Sequence, residues 1–388
     1  MAVKSPTAGE QAAAPATMAT RARAALAEYR YPLAVFAASR IVVYLLFAMV
    51  AWTHRVPAHS ALTYRSMFSP LGTWDAVWYH WIVAHGYDPA IGHGNTVAFF
   101  PLWPLLWRAA AVIPLPVYLI GSLVSTAFFG AALCLLYRIT CERFDAAMAR
   151  RTTLYLAIWP LAFVFSLPYS ESLYLLASLA AFALTWHGRW WLGSGVGALA
   201  VLARPVGIAL VPAFAWRIYR RHGLRWTAYL PLLLMVVAEL GFFLFLGWRT
   251  GDWLGNTHAQ HRGWGRGLVP LPIEVGRGLV VDVAENGLLR TLADVSFTIV
   301  WCWLWYRAWR VMRLPGEYLI YAALVVLLPS SGGSLLSMGR MGMVAFPLIW
   351  ALADWGRDEP VDTLVKTVAP AMLAALVFLA FGTRTFVP

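Results

Sequence analysis

Long apolar segments separated by short, arginine-bearing loops are the feature that most constrains the fold of this chain. A membrane-spanning helix needs about 20 consecutive apolar residues, because the hydrocarbon core of a bilayer is about 30 Å thick. Hydrophobic residues make up 61% of the 388 residues and charged residues only 12%, whereas a typical soluble domain is about 25% charged. The segments lack the alternation of apolar and polar residues found in transmembrane barrel strands. The sequence therefore predicts an all-α polytopic membrane protein.

The formal net charge of +12 would suggest nucleic-acid binding in a soluble protein. Here the arginines lie in short loops between apolar segments, which is the positive-inside pattern of membrane proteins. We therefore expect the charge to set the topology, and we expect no nucleic-acid partner. Lys4 and Lys366 are the only lysines, and this bias toward arginine, with abundant alanine, is typical of a GC-rich bacterial genome. The predicted location is the bacterial cytoplasmic membrane.

The arginine positions predict a cytoplasmic N-terminus and about eleven transmembrane helices. Residues 1–30 are predicted to be a disordered cytoplasmic tail, and residues 31–388 a single transmembrane domain. Outer loops are predicted at 54–113 and 249–290; the first should carry interfacial helices, because residues 98–113 are aromatic and interrupted by prolines. The spans are expected at about 31–53, 114–137, 152–168, 170–187, 190–203 with 206–218 as a broken pair, 226–248, 291–311, 317–330, 340–355 and 366–383.

The broken pair follows from one proline and a cluster of arginines. A single long helix over 190–218 would place the arginines of 217–225 outside the cell. Pro205 disfavours helical backbone at Arg204, so we predict a turn there, with Arg204 at an outer tip. Short, broken helices are tolerated in membranes where they line a cavity.

This topology brings unusual polar residues to one side of the membrane. Asp75 lies in the first outer loop, Glu171 at a hairpin tip, Arg204 at the tip of the broken pair and Arg340 at the last outer tip. Ionisable groups at membrane depth are costly and usually mark a working site. Further candidates on the same side are Trp74, Tyr79, Tyr169, Asp252, Gln260, His261 and Trp264.

Four of these candidates also have a simpler interpretation. Asp75 can be a solvated loop carboxylate, and Trp74 can belong to an interfacial aromatic belt. Glu171 can stabilise the N-terminus of the helix that follows it. Arg204 can extend its guanidinium to the lipid headgroups.

Taken together, the residues indicate a transferase site. An acid near apolar surface can act as a general base, arginines can hold a phosphate bidentately, and a lipid-facing groove can admit a long apolar tail. The combination predicts a transferase with a lipid-phosphate-linked substrate. The histidines and acid of the second outer loop match no standard metal-ligand spacing, so we expect no metal and no other cofactor.

Five blocks in chain order resemble the PIG-V-like mannosyltransferases, a family that includes the second mannosyltransferase of glycosylphosphatidylinositol anchor assembly. They extend from Trp74 to about Trp350 and read TWDAVWYHWIVAHGY with VAFFPLWPLLWR, FSLPYSESLYLL, LARPVGIALVPA, TGDWLGNTHAQHRGW and SLLSMGRMGMVAFPL. The resemblance implies a GT-C glycosyltransferase fold. It also implies transfer of mannose, or another sugar, from a polyprenyl-phosphate donor at the extracytoplasmic face, usually without a metal. The catalytic aspartate of the family's first loop corresponds to Asp75.

On this resemblance we predict inverting transfer to a lipid or cell-envelope acceptor, with Asp75 as the base. Arg204 and Arg340 would neutralise the leaving phosphate, and Glu171 and Gln260 would orient the sugar hydroxyls. Glu171 could also act as a second acid or serve as the base itself. Two rivals are a transporter or flippase for lipid-linked sugars and a non-catalytic membrane scaffold. Against the first, the sequence shows no repeat halves, and its polar groups gather on one face instead of lining a path.

Overall fold

The computed structural model of the chain describes residues 18–55, 68–87, 95–264, 283–284, 287–330, 335–383, 385–386 and 388. Its regular secondary structure is helical, with no strand in these residues, which confirms the predicted all-α class. The helices are α1 (Met18–Arg55), α2 (Asp75–His85), α3 (Leu102–Ala110), α4 (Val117–Arg143), α5 (Ala146–Ile158), α6 (Glu171–Trp186), α7 (Trp190–Ala203), α8 (Leu210–His222), α9 (Leu233–Thr250), α10 (Gly255–Trp264), α11 (Leu288–Arg310), α12 (Gly316–Ser330), α13 (Met338–Met343), α14 (Phe346–Trp355) and α15 (Glu359–Val377).

Short 3-10 segments connect or extend several helices, and a π-helical turn at Phe378–Thr383 follows α15. The 3-10 segments lie at Ser69–Gly72, Thr96–Ala98, Ala162–Ser166, Pro205–Ala209 and Trp226–Leu232.

The length and surface of the helices identify an integral membrane protein. In the described part of the chain, four helical segments are long and apolar enough to cross a bilayer, namely Glu28–Thr53, Val117–Arg143, Trp226–Thr250 and Glu359–Thr383. Three shorter helices, α6, α7 and α12, are also apolar. Helices α1 and α9 expose large side chains such as Leu45 and Val237, as expected of surfaces that face lipid. The total of about eleven spans stays a prediction.

The first outer loop contains two short helices, α2 and α3, packed against each other. With nine residues, α3 extends about 13 Å, less than half the thickness of the hydrocarbon core. It is therefore too short to cross the membrane, and its length fits the interfacial location predicted for residues 98–113.

The first helix begins earlier in the structure than the sequence predicts. Helix α1 begins at Met18, so residues 18–30 are helical, whereas residues 1–17 lie outside the described part of the chain. The reason is local: alanine and arginine, which are frequent in this segment, are strong helix formers and extend the helix of the apolar span.

The span predicted at 152–168 is also corrected. Helix α5 ends at Ile158, because Pro160 disfavours helical backbone at the residue before it. The side chain of Arg40, in α1, donates hydrogen bonds to the carbonyl oxygens of Ala157 and Ala162 at 3.1 and 2.8 Å. Arg40 therefore satisfies backbone groups that the break in α5 leaves without helical partners.

Two further predicted spans are interrupted. The segment predicted at 340–355 forms two helices, α13 and α14. The segment predicted at 206–218 begins as a 3-10 turn before α8 starts at Leu210.

The turn at Arg204 forms where the sequence predicts it. Helix α7 ends at Ala203, and Arg204 is extended, with φ −154° and ψ 143°. A Cβ atom at Gly207 would lie 2.6 Å from the carbonyl carbon of Ala200, so glycine lets the turn lie directly against α7. Proline and glycine together fix the tip that carries Arg204.

Helix α6 defines two ends of the bundle. It packs against α4 and α7, and its 16 residues give a length of about 24 Å. We call the end at the N-terminus of α6 and the C-terminus of α7 the site end, and the other the opposite end.

Candidate active site

Four charged residues from distant segments meet at the site end and form what we call the charge cluster. Asp75 begins α2, Glu171 begins α6, Arg204 follows α7 and Arg340 lies in α13. Arg340 Nη1 lies 2.6 Å from Asp75 Oδ2, and Arg204 Nη1 lies 2.6 Å from Glu171 Oε1. Arg340 Nε is 3.4 Å from the same Glu171 oxygen. Two guanidiniums thus balance two carboxylates.

Burial differs among the four side chains. The exposed fractions are 1% for Glu171, 6% for Arg340, 10% for Arg204 and 18% for Asp75. Charges this deeply buried are stable only when they are paired. Asp75 is the most accessible member of the charge cluster.

Two buried polar atoms at the site have neither a hydrogen-bond partner nor an ion-pair partner among the described residues. They are Glu171 Oε2, an acceptor, and Trp74 Nε1, a donor. Unsatisfied buried polar atoms are rare in proteins and call for an explanation. Here both atoms are available to the polar groups of a substrate.

The backbone before Asp75 is strained and held in place by Tyr169. Trp74 has φ 55°, a conformation that costs a non-glycine residue roughly 1–3 kcal/mol. The Asp75 backbone N–H donates to Tyr169 Oη at 3.2 Å, and the Tyr169 hydroxyl donates to the Thr73 carbonyl oxygen at 3.4 Å. Burial raises the pKa of Tyr169 well above its ordinary value, so the hydroxyl keeps its proton. Tyr169 therefore fixes the backbone that presents Asp75.

Ser170 links the first outer loop to Arg204. The Tyr79 hydroxyl lies 2.8 Å from Ser170 Oγ, and Arg204 Nη1 donates to the same oxygen at 3.4 Å. Arg204 Nη2 also contacts Met341 Sδ at 2.9 Å, a weak acceptor that the sequence analysis did not identify. Tyr79 is buried and contacts the charge cluster through Ser170.

Asp294 positions the helix that carries Arg340, and the sequence analysis missed it. The backbone N–H of Met338, the first residue of α13, donates to Asp294 Oδ1 at 3.1 Å. Ser337, immediately before it, has φ 63°. Asp294 is only 3% exposed. The sequence feature that could have identified Asp294 is its position as a carboxylate inside the span predicted at 291–311.

The candidates of the second outer loop make other contacts. Asp252 Oδ2 lies 2.9 Å from His258 Nδ1, and this hydrogen bond lowers the pKa of Asp252. The Gln260 side chain donates to the Ala98 carbonyl oxygen at 3.1 Å, and His261 is exposed. Within the described residues, no hydrogen bond or ion pair joins these three candidates to the charge cluster. The side chain of Trp264 lies outside the description.

Metal-ligating side chains do not gather in the part of the chain that the structure describes: no three His, Cys, Asp or Glu residues come together there. Both carboxylates of the charge cluster face guanidiniums.

Comparison with known proteins connects this site to a family. Residues 38–222 match the family described as Mannosyltransferase (PIG-V), a region that includes Asp75, Glu171 and Arg204. Comparison of the sequence with curated proteins found no match.

Comparison with solved structures found similar proteins. ArnT from Cupriavidus metallidurans, solved bound to undecaprenyl phosphate, superposes with a TM-score of 0.50 at 15% identity, covering 90% of this chain and 76% of ArnT. The oligosaccharyltransferase of Archaeoglobus fulgidus in the apo form gives 0.44 at 15% identity, covering 89% of this chain and 55% of that one. The resemblance predicted from the sequence motifs is thus confirmed: residues 38–222 match the PIG-V mannosyltransferase family, and the chain has a GT-C-like helical fold, which it shares with ArnT.

Proposed function

We propose that the protein is an inverting mannosyltransferase that takes its sugar from a polyprenyl-phosphate donor at the extracytoplasmic face. The charge cluster carries the proposal, since four sequence segments converge to place two carboxylates beside two guanidiniums at one end of a membrane bundle. The match to the mannosyltransferase family favours mannose as the transferred sugar. ArnT was solved with undecaprenyl phosphate, and we extend that class of lipid to this chain as part of the proposal.

Asp75 is the base in the proposed reaction. Its Oδ2 faces Arg340, and its 18% exposed side chain can meet an acceptor hydroxyl with the other oxygen. Asp75 accepts the hydroxyl proton while the acceptor oxygen forms a bond to the anomeric carbon. The bond between that carbon and the phosphate oxygen breaks, and the electron pair leaves with the polyprenyl phosphate. Glu171 is less suited to this role, because it is 1% exposed and faces both arginines.

The two arginines stabilise the leaving group. The donor phosphate carries one negative charge, and the released monoester carries about 1.5 to 2 near neutral pH. Arg204 and Arg340 face this gain of charge from a largely buried site, where preorganised charges stabilise a transition state most strongly. Glu171 bridges the two guanidiniums and so holds them in place. No metal is needed in this scheme.

We propose that the two buried polar atoms without protein partners bind the sugar. Glu171 Oε2 can accept a hydrogen bond from a sugar hydroxyl, and Trp74 Nε1 can donate one. Tyr79 and Tyr169 position the site through the contacts described above. We propose no direct substrate contact for Asp252, Gln260 or His261.

The extracytoplasmic location follows from the arginines at the opposite end. Arg143 ends α4, Arg189 precedes α7, and Arg220 and Arg221 lie in the last turn of α8. The positive-inside rule places such clusters in the cytoplasm. The site end then faces outward, where a lipid-linked donor replaces a nucleotide sugar.

The test uses purified protein in proteoliposomes with sugar-labelled polyprenyl-phosphate mannose and an acceptor lipid extract. A transferase produces a new labelled product, and the Asp75→Asn variant does not. A flippase would move intact donor between leaflets without forming a product, and Asp75→Asn would retain that movement. Well-folded protein that forms no product would contradict the proposal.

A further inference from the structure

A cavity lies at the opposite end of the bundle. Its volume is about 660 Å³, and its lining includes Arg143, Arg217, Arg220 and Arg221 together with Trp186 and Trp216. Trp186 is the last residue of α6 and Glu171 is the first, so about 22 Å of helix separates this cavity from the charge cluster. The cavity is therefore distinct from the candidate active site.

Arg217 supplies an unused buried donor in this cavity. Arg217 is only 5% exposed, and its Nη1 has no hydrogen-bond partner among the described residues. The guanidinium lies over the ring of Trp190, 5.7 Å from the centroid. A buried guanidinium with an unmet N–H group is costly, and an anion in the cavity would satisfy it.

The charges that line the cavity are unequal. Four arginines face two carboxylates, those of Glu142 and Glu317. Glu142 is already paired with Arg138 at 2.9 Å. Glu317 is 9% exposed and forms no ion pair with an arginine among the described residues. The lining therefore keeps a positive excess.

The aromatic lining adds a flat, apolar surface beside the positive charge. Arg143 lies 4.4 Å from the centroid of the Trp186 ring, close enough for a cation–π contact that fixes the guanidinium. A volume of 660 Å³ falls within the usual range for small-molecule sites, about 300–1,000 Å³, and is much larger than one phosphate group needs. The geometry suits a phosphate attached to a larger organic group.

We propose that this cavity is a second ligand site, which binds a phosphate monoester or diester through Arg217, Arg220 and Arg221. The phosphate can belong to the headgroup of an anionic lipid or to a soluble phosphate ester, because both present the same acceptor oxygens to guanidinium groups. The site does not depend on the proposed sugar transfer.

Binding can be measured calorimetrically on the full chain in nanodiscs of phosphatidylcholine. The probes are inorganic phosphate, soluble dihexanoyl phosphatidic acid and, as a neutral control, dihexanoyl phosphatidylcholine. The variants are Arg217→Gln and the double change of Arg220→Gln with Arg221→Gln. Arg220 and Arg221 are exposed, so the double change tests the site without altering the buried core. Arg357→Gln is the matched control, since Arg357 is exposed, paired with Asp354 and outside the cavity lining.

The expected result is binding of an anionic probe to the wild type and to Arg357→Gln. Each cavity variant should weaken it at least about tenfold, the loss expected for one charge-assisted hydrogen bond. Phosphatidic acid binding at least about tenfold tighter than phosphate would assign the lipid source; equal affinities would assign the soluble one. Two results would overturn the proposal: no binding of either anionic probe to folded wild type, or unchanged affinity in the folded cavity variants.

Discussion

Removing Arg340 should destabilise the protein far more than neutralising Asp75. Arg340→Gln leaves the Asp75 carboxylate, with only 18% of its side chain exposed, without its partner at 2.6 Å. Breaking a buried ion pair by removing one member typically costs about 3–5 kcal/mol. Two unit charges about 4 Å apart interact by about 4 kcal/mol at an effective dielectric constant near 20, which gives the same magnitude.

Asp75→Asn should be milder, because the amide oxygen still accepts from Arg340 and the guanidinium keeps Glu171 at 3.4 Å. We expect a loss of about 1 kcal/mol, the typical net value of a hydrogen bond. The double variant lacks the stranded carboxylate, so the cycle should give a favourable coupling of about 2–4 kcal/mol.

The assay is reversible denaturation in mixed micelles, followed by near-UV circular dichroism for the wild type, both single variants and the double variant. Arg357→Gln provides the control: Arg357 is 54% exposed and 3.4 Å from Asp354, and Asp354 keeps Arg307 at 3.4 Å when Arg357 is removed, so the loss should be less than about 1 kcal/mol. A coupling energy near zero between Asp75 and Arg340, or equal losses at Arg340 and Arg357, would refute the reasoning.

Three further predictions address the supports of the site. Asp294→Ala should lower transfer activity and should lower the free energy of unfolding by about 1.5–3 kcal/mol. Asp294→Asn should change both less, because its amide oxygen still accepts from the N-terminus of α13. If the two variants lose equal activity and equal stability, Asp294 does not position α13 in this way. Gly207→Ala should destabilise the protein by about 1–3 kcal/mol, since its Cβ would lie 2.6 Å from the backbone of Ala200. Gly195→Ala, whose Cβ would meet no atom within 4 Å, should be neutral or stabilising. Thermal unfolding of the two variants tests this difference. The pKa of Asp252 is lowered by His258, so this pair stabilises the fold above the ordinary Asp pKa of 3.8 and loses that effect as pH falls through the lower, folded value. At 39% exposure of Asp252 the effect should be small, and His258→Ala should remove this acid-side dependence from melting curves recorded at about pH 3 to 6.

Local rules explain why parts of the fold were predictable. The break at Arg204 follows from the proline after it, and α7 ends at Ala203 as expected. The bounds of α6 and α12 also follow closely from apolar length and flanking polar residues. Pro160 gives a local reason for the early end of α5, but the hydrogen bonds from Arg40 in α1 that satisfy the interrupted backbone join distant segments, and no local pattern encodes them.

The location of the candidate site was predictable from the sequence, but the pairing of its charged side chains was not. Topology brings Asp75, Glu171, Arg204 and Arg340 to one end, because each lies at a tip. Their pairing depends on side-chain distances that sequence spacing does not determine. It also depends on the positive φ values at Trp74 and Ser337, which residue type disfavours. The polar residues of the second outer loop looked equivalent in sequence, yet Asp252 and Gln260 contact nearby groups instead.

The central claim is that Asp75 is the base of a polyprenyl-phosphate sugar transferase. The most direct test is the initial rate of transfer from labelled polyprenyl-phosphate mannose by Asp75→Asn and by Asp252→Asn, with equal folding checked by thermal unfolding. Asp252 is the matched control, because it is an outer-loop carboxylate paired away from the charge cluster. We predict a loss of about 10²- to 10⁴-fold for Asp75→Asn and a change below about twofold for Asp252→Asn. Equal rates in the two variants would contradict the assignment of Asp75 as the base.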